Sequence, residues 1–210
     1  MPTCICNHIA FIHIPKTAGT SMTLQFKNAN DFMVFNEAYV DIQDSSDFCN
    51  MYLDHVPAFL VQKYESDNYY KMLTYIRNPY TRFISMFCQA KKLELHSYDI
   101  SIKGIEQFCS DFLDSKGYKM FFEPMVYYTH DENQKNSLVD YIFRYENLAN
   151  TLKSVEKIMN VSIQDIPISN QNEMTDNTKY MQWYTKCPML YDFVNDKYSA
   201  DFETFYYEKC

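Results

Sequence analysis

The sequence predicts an α/β fold, a central, mainly parallel sheet flanked by helices. Three observations carry that expectation. Short apolar runs recur along the chain, as in strands buried on both faces. Each run is followed by a turn and then by apolar residues at helical spacing. The 210 residues contain no internal repeat, low-complexity tract or Pro/Gly/Ser linker, so one domain over 1–210 is the simplest organisation.

The elements follow in order. Ile9-Ala10-Phe11-Ile12-His13-Ile14 reads as a buried strand with His13 inside it. Thr20 and Ser21 are good helix N-caps, and Met22, Phe26 and Ala29 then repeat at i, i+4 and i+7. Tyr70 to Ile76 reads as a second strand, with Asn78 as cap and Pro79 at the first helical position. Phe83, Met86, Phe87, Ala90 and Leu93 form the apolar face of the next helix, and Arg82, Ser85 and Gln89 its other face. Tyr141-Ile142-Phe143 reads as a third strand, and Leu148, Leu152, Val155 and Met159 as a helical stripe. Strands alternating with helices give a parallel sheet whose ligands bind beyond the carboxyl ends of the strands.

Composition narrows the partners. A net charge of -8 repels polyanions at long range and argues against nucleic acid. An anionic ligand must then be held by a few concentrated cations. No run of 18 apolar residues occurs, and Met1 to Ile14 lacks the pattern of a signal peptide. The expected location is cytoplasmic, or lumenal in the Golgi if a longer precursor exists. The seven cysteines are odd in number and scattered, which fits reduced thiols better than a metal site, and no metal is expected. Aromatics reach 17%, which either reflects composition bias or lines a cleft for rings.

Pro15-Lys16-Thr17-Ala18-Gly19-Thr20-Ser21 joins the first strand to its helix. Such a turn presents unpaired N–H groups and the positive end of a helix dipole. Gly19 removes a Cβ from the approach of a ligand. Lys16 adds a charge, and Thr17, Thr20 and Ser21 add hydroxyls. An NTPase P-loop needs its lysine after a second glycine, whereas Lys16 precedes Gly19. A second anion site is read in Arg77-Asn78-Pro79-Tyr80-Thr81-Arg82-Phe83-Ile84-Ser85, an arginine fork at a strand end and a serine two turns into the following helix. Two such sites imply a ligand with two separated anionic groups.

On these residues the chain resembles the sulfotransferases that use 3′-phosphoadenosine 5′-phosphosulfate (PAPS), particularly the carbohydrate branch that includes heparan-sulfate 2-O-sulfotransferase. His13 to Ser21 is similar to the family's 5′-phosphosulfate loop, and Arg77 to Ser85 to its 3′-phosphate motif. Asp54-His55-Val56-Pro57, Phe143-Arg144-Tyr145-Glu146-Asn147-Leu148, and Asp201-Phe202-Glu203 with Tyr206 resemble further family segments. The resemblance implies a P-loop-like three-layer fold. It assigns Lys16, Thr17, Ala18, Gly19, Thr20 and Ser21 to the phosphosulfate, with Lys16 also catalytic, and Arg77 and Ser85 to the 3′-phosphate. Arg82 either supports that site or pairs with a carboxylate. Glu146 either binds acceptor or plays a structural part with Arg144. Asn170 to Thr178 is a polar stretch that either covers the cofactor or is a plain surface loop.

His55 is the candidate general base, because imidazole titrates near neutrality and the resembling segment carries a histidine in that role. The expected acceptor is a glycan or another hydroxyl-bearing molecule. Tyr127, Tyr128 and Trp183 could stack on sugar faces or simply pack. Lys91-Lys92 is a small basic pair or an ordinary helix end. A nucleotide-dependent phosphoryl-transfer enzyme and a catalytically silent cofactor-fold module stay open as alternatives. The sequence does not indicate an oligomeric state.

Overall fold

The structure, a computed structural model, describes residues 4–27, 32–34, 55–64, 70–92, 98, 101–112, 119–163 and 177–210. Cys49, Asp54, His96 and residues 170–176 lie outside them. In chain order the elements are β1 (Cys4–Cys6), β2 (Ile9–Ile12), α1 (Gly19–Phe26), β3 (Met33–Val34), α2 (Ala58–Tyr64), β4 (Lys71–Ile76), α3 (Pro79–Lys92), α4 (Ile102–Phe112), a 3₁₀ turn (Lys119–Phe122), α5 (Met125–Thr129), β5 (Tyr141–Arg144), a 3₁₀ turn (Tyr145–Asn147), α6 (Leu148–Met159), α7 (Asn177–Lys186), α8 (Met189–Lys197) and α9 (Ser199–Phe205). The chain forms two compact units, Met1–Arg77 with Met125–Ser169, and Asn78–Pro124 with Asn170–Cys210.

The first unit holds a five-stranded sheet of order β3-β1-β2-β4-β5. β2, β4 and β5 are parallel, as the strand–helix alternation predicts. β1 runs antiparallel to both β2 and β3, so the parallel character belongs to one side of the sheet. The cause is local. Asn7 and His8, both at positive φ (49° and 62°), close a two-residue turn between β1 and β2. A loop that short permits only an antiparallel hairpin. The Asn7 side chain also donates to the Met159 carbonyl at 2.8 Å, satisfying one of the last carbonyls of α6.

Alternate residues of the strands, Cys4, Cys6, Ile9, Phe11, Leu73 and Tyr75, form one buried face. Met22 and Phe26 of α1 and Val155 and Met159 of α6 close over it. Burying each large side chain is worth roughly 1.5–3 kcal/mol. β4 is buried from Met72 to Ile76, as a central parallel strand should be, while the edge strand β5 stays half-exposed. Because β2, β4 and β5 are parallel and in register, the segments after them, His13–Ala18, Arg77 and Tyr145, leave the same edge of the sheet.

The second unit is helical and explains much of the aromatic content. Asn78 caps α3, accepting the Tyr80 N–H at 3.0 Å, with Pro79 at the first position as the sequence predicts. Tyr80 packs against Tyr184, Tyr191 and Phe202, and Phe108 against Phe87 and Phe122. Buried hydroxyls find carbonyls: Tyr184 donates to Tyr80 at 2.8 Å and Tyr198 to Phe122 at 3.1 Å. On the face of α3 opposite its apolar stripe, Arg82 and Ser85 are buried and Gln89 is half-buried. Arg82 donates twice to the Glu123 carbonyl at 3.0 Å and lies 3.9 Å from the Asp201 carboxylate. Of its two expected roles, the pairing with a carboxylate is therefore the one observed, and Asp201 of the Asp-Phe segment is the partner.

Candidate functional site

The turn after β2 has an unusual backbone. β2 ends at Ile12, so His13 stands just beyond the strand rather than within it. Lys16 and Ala18 both have positive φ, 65° and 81°. For residues with a Cβ the left-handed region costs roughly 1–2 kcal/mol each. Chains of N–H groups in such alternating turns form concave anion sites, and strain of this kind collects where a site needs a particular shape.

α1 begins at Gly19 with Ala18 as its N-cap, so Thr20 and Ser21 are not the caps that the sequence suggested. No side chain caps this end. The first N–H groups of α1 thus have no acceptor within the helix, an arrangement that favours an anion. Lys16, Ala18, Thr20 and Ser21 are half-buried, whereas Thr17 and Gly19 are buried. The Thr17 hydroxyl donates to the Ile14 carbonyl at 3.0 Å, which fixes the turn.

Arg77 follows β4 and is only 4% exposed. Its Nη1 donates to the Lys16 carbonyl at 3.2 Å, and its guanidinium lies 4.3 Å from the centre of the Tyr145 ring. Its backbone N–H donates to the Met125 sulfur at 3.3 Å. Cation–π contact is worth about 0.5–2 kcal/mol. The guanidinium therefore holds the carbonyl of a left-handed residue and ties the side chain of the second motif to the backbone of the first. Tyr145 is a participant that the sequence reading did not assign. Its position after β5, in register with Arg77 after β4, is the signal that could have found it.

His55 is half-buried ahead of α2. Its Nδ1 lies 2.9 Å from the His13 carbonyl oxygen. A carbonyl can only accept, so Nδ1 carries the hydrogen and neutral His55 presents Nε2 as its basic nitrogen. The His13 and His55 rings meet edge to face at 4.4 Å. A Cβ placed on Gly19 would fall on the His13 ring, so the glycine makes room for an imidazole rather than for a ligand.

The structure thus brings together Lys16, Thr17, Ala18, Gly19, Arg77 and His55 in the first unit. Ser85 lies buried on α3 of the second. Tyr128 is fully buried and offers no face for stacking, while Tyr127 is half-buried and meets Phe59 edge-on at 5.7 Å. Lys91 donates to the Tyr98 carbonyl at 2.9 Å. Among the described residues no group of three or more His, Cys, Asp or Glu side chains could hold a metal ion, and no helix is long and apolar enough to cross a membrane. Compared with known families, residues 3–208 match the model of the sulfotransferase family, a match that runs through both units. No curated protein and no solved structure matches the chain.

Proposed function

The chain belongs to the sulfotransferase family, and from that premise we propose that it transfers the sulfonate of PAPS to an acceptor hydroxyl, on a carbohydrate. The observation that carries this reading is the Arg77–Lys16 hydrogen bond. It unites a strained, uncapped anion turn with a buried guanidinium, which suits a donor bearing two anionic groups. The residues fit the donor chemically, since Lys16, Arg77 and the first N–H groups of α1 offer positive charge and hydrogen-bond donors.

PAPS supplies an activated sulfonate whose leaving group is a phosphate. Lys16 and the N–H groups of Thr17 to Ser21 are proposed to hold the phosphosulfate and to stabilise charge on the departing oxygen, as preorganised donors do. Arg77 is proposed to hold the 3′-phosphate. His55 is proposed as the base: Nε2 takes the acceptor's proton while Nδ1–H stays on the His13 carbonyl. Positioned bases contribute about 10²–10⁴ in rate. With a net charge of -8, a neutral or lightly charged sugar suits the protein better than a polyanionic chain.

The test is transfer from radiosulfur-labelled PAPS onto a panel of neutral oligosaccharides, glycosaminoglycans and tyrosine-containing peptides. Label on a neutral oligosaccharide supports the proposal. Label confined to peptide corrects the acceptor, and no label on any acceptor overturns the reading.

A further inference from the structure

Three features of the first unit converge on His13, whose side chain the proposed reaction does not itself use. His13 is 3% exposed, directly after β2. Its ring stacks at 6.4 Å with Phe11, meets the His55 ring edge to face at 4.4 Å, and fills the space where a Cβ of residue 19 would stand. Its carbonyl accepts from His55 Nδ1 at 2.9 Å. His13 therefore touches His55 by both backbone and side chain, and touches the first residue of α1 by its ring.

We infer that His13 is a positioning residue: its carbonyl fixes the tautomer of His55, and its ring, lodged between Gly19 and His55, sets the direction in which Nε2 of the base points. This inference rests on the proposed role of His55 and deepens it. A histidine ahead of α2 could otherwise rotate about its side-chain bonds, or carry its hydrogen on either nitrogen. A packed ring on one side and a carbonyl at hydrogen-bond distance leave one arrangement. Supporting groups locked by packing hold a reactive side chain within the fraction of an ångström that catalysis demands. The position also has a coupling consequence. The ring rests on the first turn of α1, the turn proposed to receive the phosphosulfate. A shift of that turn cannot occur without moving the ring that orients the base, because packed interiors transmit displacement rather than absorb it.

The experiment uses the full chain and three variants. His13→Ala removes the ring and keeps the carbonyl. His13→Phe restores a flat ring without nitrogen atoms. Gly19→Ala pushes the ring from the other side. Two readouts are taken. The first is the tautomer of His55 by nitrogen-15 NMR of the imidazoles, which needs no turnover. The second is steady-state kinetics with PAPS, alongside calorimetric affinity for the desulfated product, adenosine 3′,5′-bisphosphate.

Wild-type His55 is expected as a single Nδ1–H tautomer. In His13→Ala and Gly19→Ala the ring no longer holds the imidazole of His55 against the carbonyl at position 13, so both tautomers are expected, with kcat down at least about tenfold. In His13→Ala the affinity for the bisphosphate should stay within about twofold, and His13→Phe should recover most of kcat and the single tautomer. A pure Nδ1–H tautomer with unchanged kcat in His13→Ala overturns the inference. So does a loss of bisphosphate affinity in His13→Ala that parallels the loss of kcat, which marks a merely structural role. Failure of His13→Phe to restore activity also overturns it, because it assigns the imidazole a proton-carrying part instead. If His13→Ala does not fold, His13→Phe and Gly19→Ala decide by the same readouts. If the wild type transfers no sulfonate, the proposed function fails, and the NMR signature still decides whether His13 orients His55.

Discussion

Replacing Arg77 with lysine keeps a positive charge at the end of β4 and removes the planar fork. In the native turn Nη1 donates to the Lys16 carbonyl at 3.2 Å, and the guanidinium faces the Tyr145 ring at 4.3 Å. A hydrogen bond from a charged donor is worth about 1.5–3 kcal/mol. It acts against the cost of holding Lys16 at a φ of 65°, which is about 1–2 kcal/mol. Without the fork, that cost is no longer offset and the ligand-ready turn becomes a minor conformer. Apparent affinity falls in proportion to the competent fraction, and about 1.4 kcal/mol corresponds to tenfold. Arg77→Lys is therefore expected to weaken binding of adenosine 3′,5′-bisphosphate by about tenfold in calorimetry. Melting temperature, measured in parallel, separates this from general destabilisation. Affinity within twofold of wild type would refute the idea that Arg77 braces the turn.

Three further expectations follow from individual contacts. His55→Ala should abolish most turnover and leave bisphosphate affinity nearly unchanged; comparable kcat in the variant removes His55 as the base. Asp201→Asn leaves the Arg82 charge buried without its carboxylate, so urea unfolding should show a loss of about 3–5 kcal/mol with the slope unchanged, whereas a loss below about 1 kcal/mol contradicts an energetic role for the pair. Burial pushes the Cys6 thiol up to about 11 and Cys109 up to about 12, so both should resist alkylation in the native protein at pH 8 while exposed Cys210 reacts, as mapped by mass spectrometry. The stabilising part of the Cys6 burial is complete below the ordinary thiol value of 9.0 and is lost as pH rises toward about 11, because the unfolded thiol ionises first.

Much of the fold was legible because its signals are local. The Ile9 to Ile12 run, the Asn78-Pro79 start of α3 and the stripe of α6 each declare themselves within a few residues. β1 is not legible although Asn7 carries a turn signal, since a three-residue strand has too little periodicity to read. The site was legible as an inventory and not as an arrangement. Arg77 meets Lys16 across 61 positions and His55 meets His13 across 42, and no pattern within a window reports such pairings. Ala18 in the left-handed region gives no local signal, because alanine is not a residue that marks it. Gly19 in a loop sequence suggests clearance for a ligand, whereas its missing Cβ accommodates His13. Arg82 presented two roles on paper, and only the packing of α9 against α3 brought Asp201 to it.

The Lys16 turn and Arg77 are proposed to form a donor site for PAPS. Comparative calorimetry of adenosine 3′,5′-bisphosphate, ADP and ATP with magnesium tests it most directly. The 3′,5′-bisphosphate is expected to bind at least about tenfold more tightly than ADP, equivalent to roughly 1.4 kcal/mol for the 3′-phosphate, and Lys16→Ala and Arg77→Ala should both lose that preference. Equal or tighter binding of ATP with magnesium, unaffected by either substitution, would contradict it.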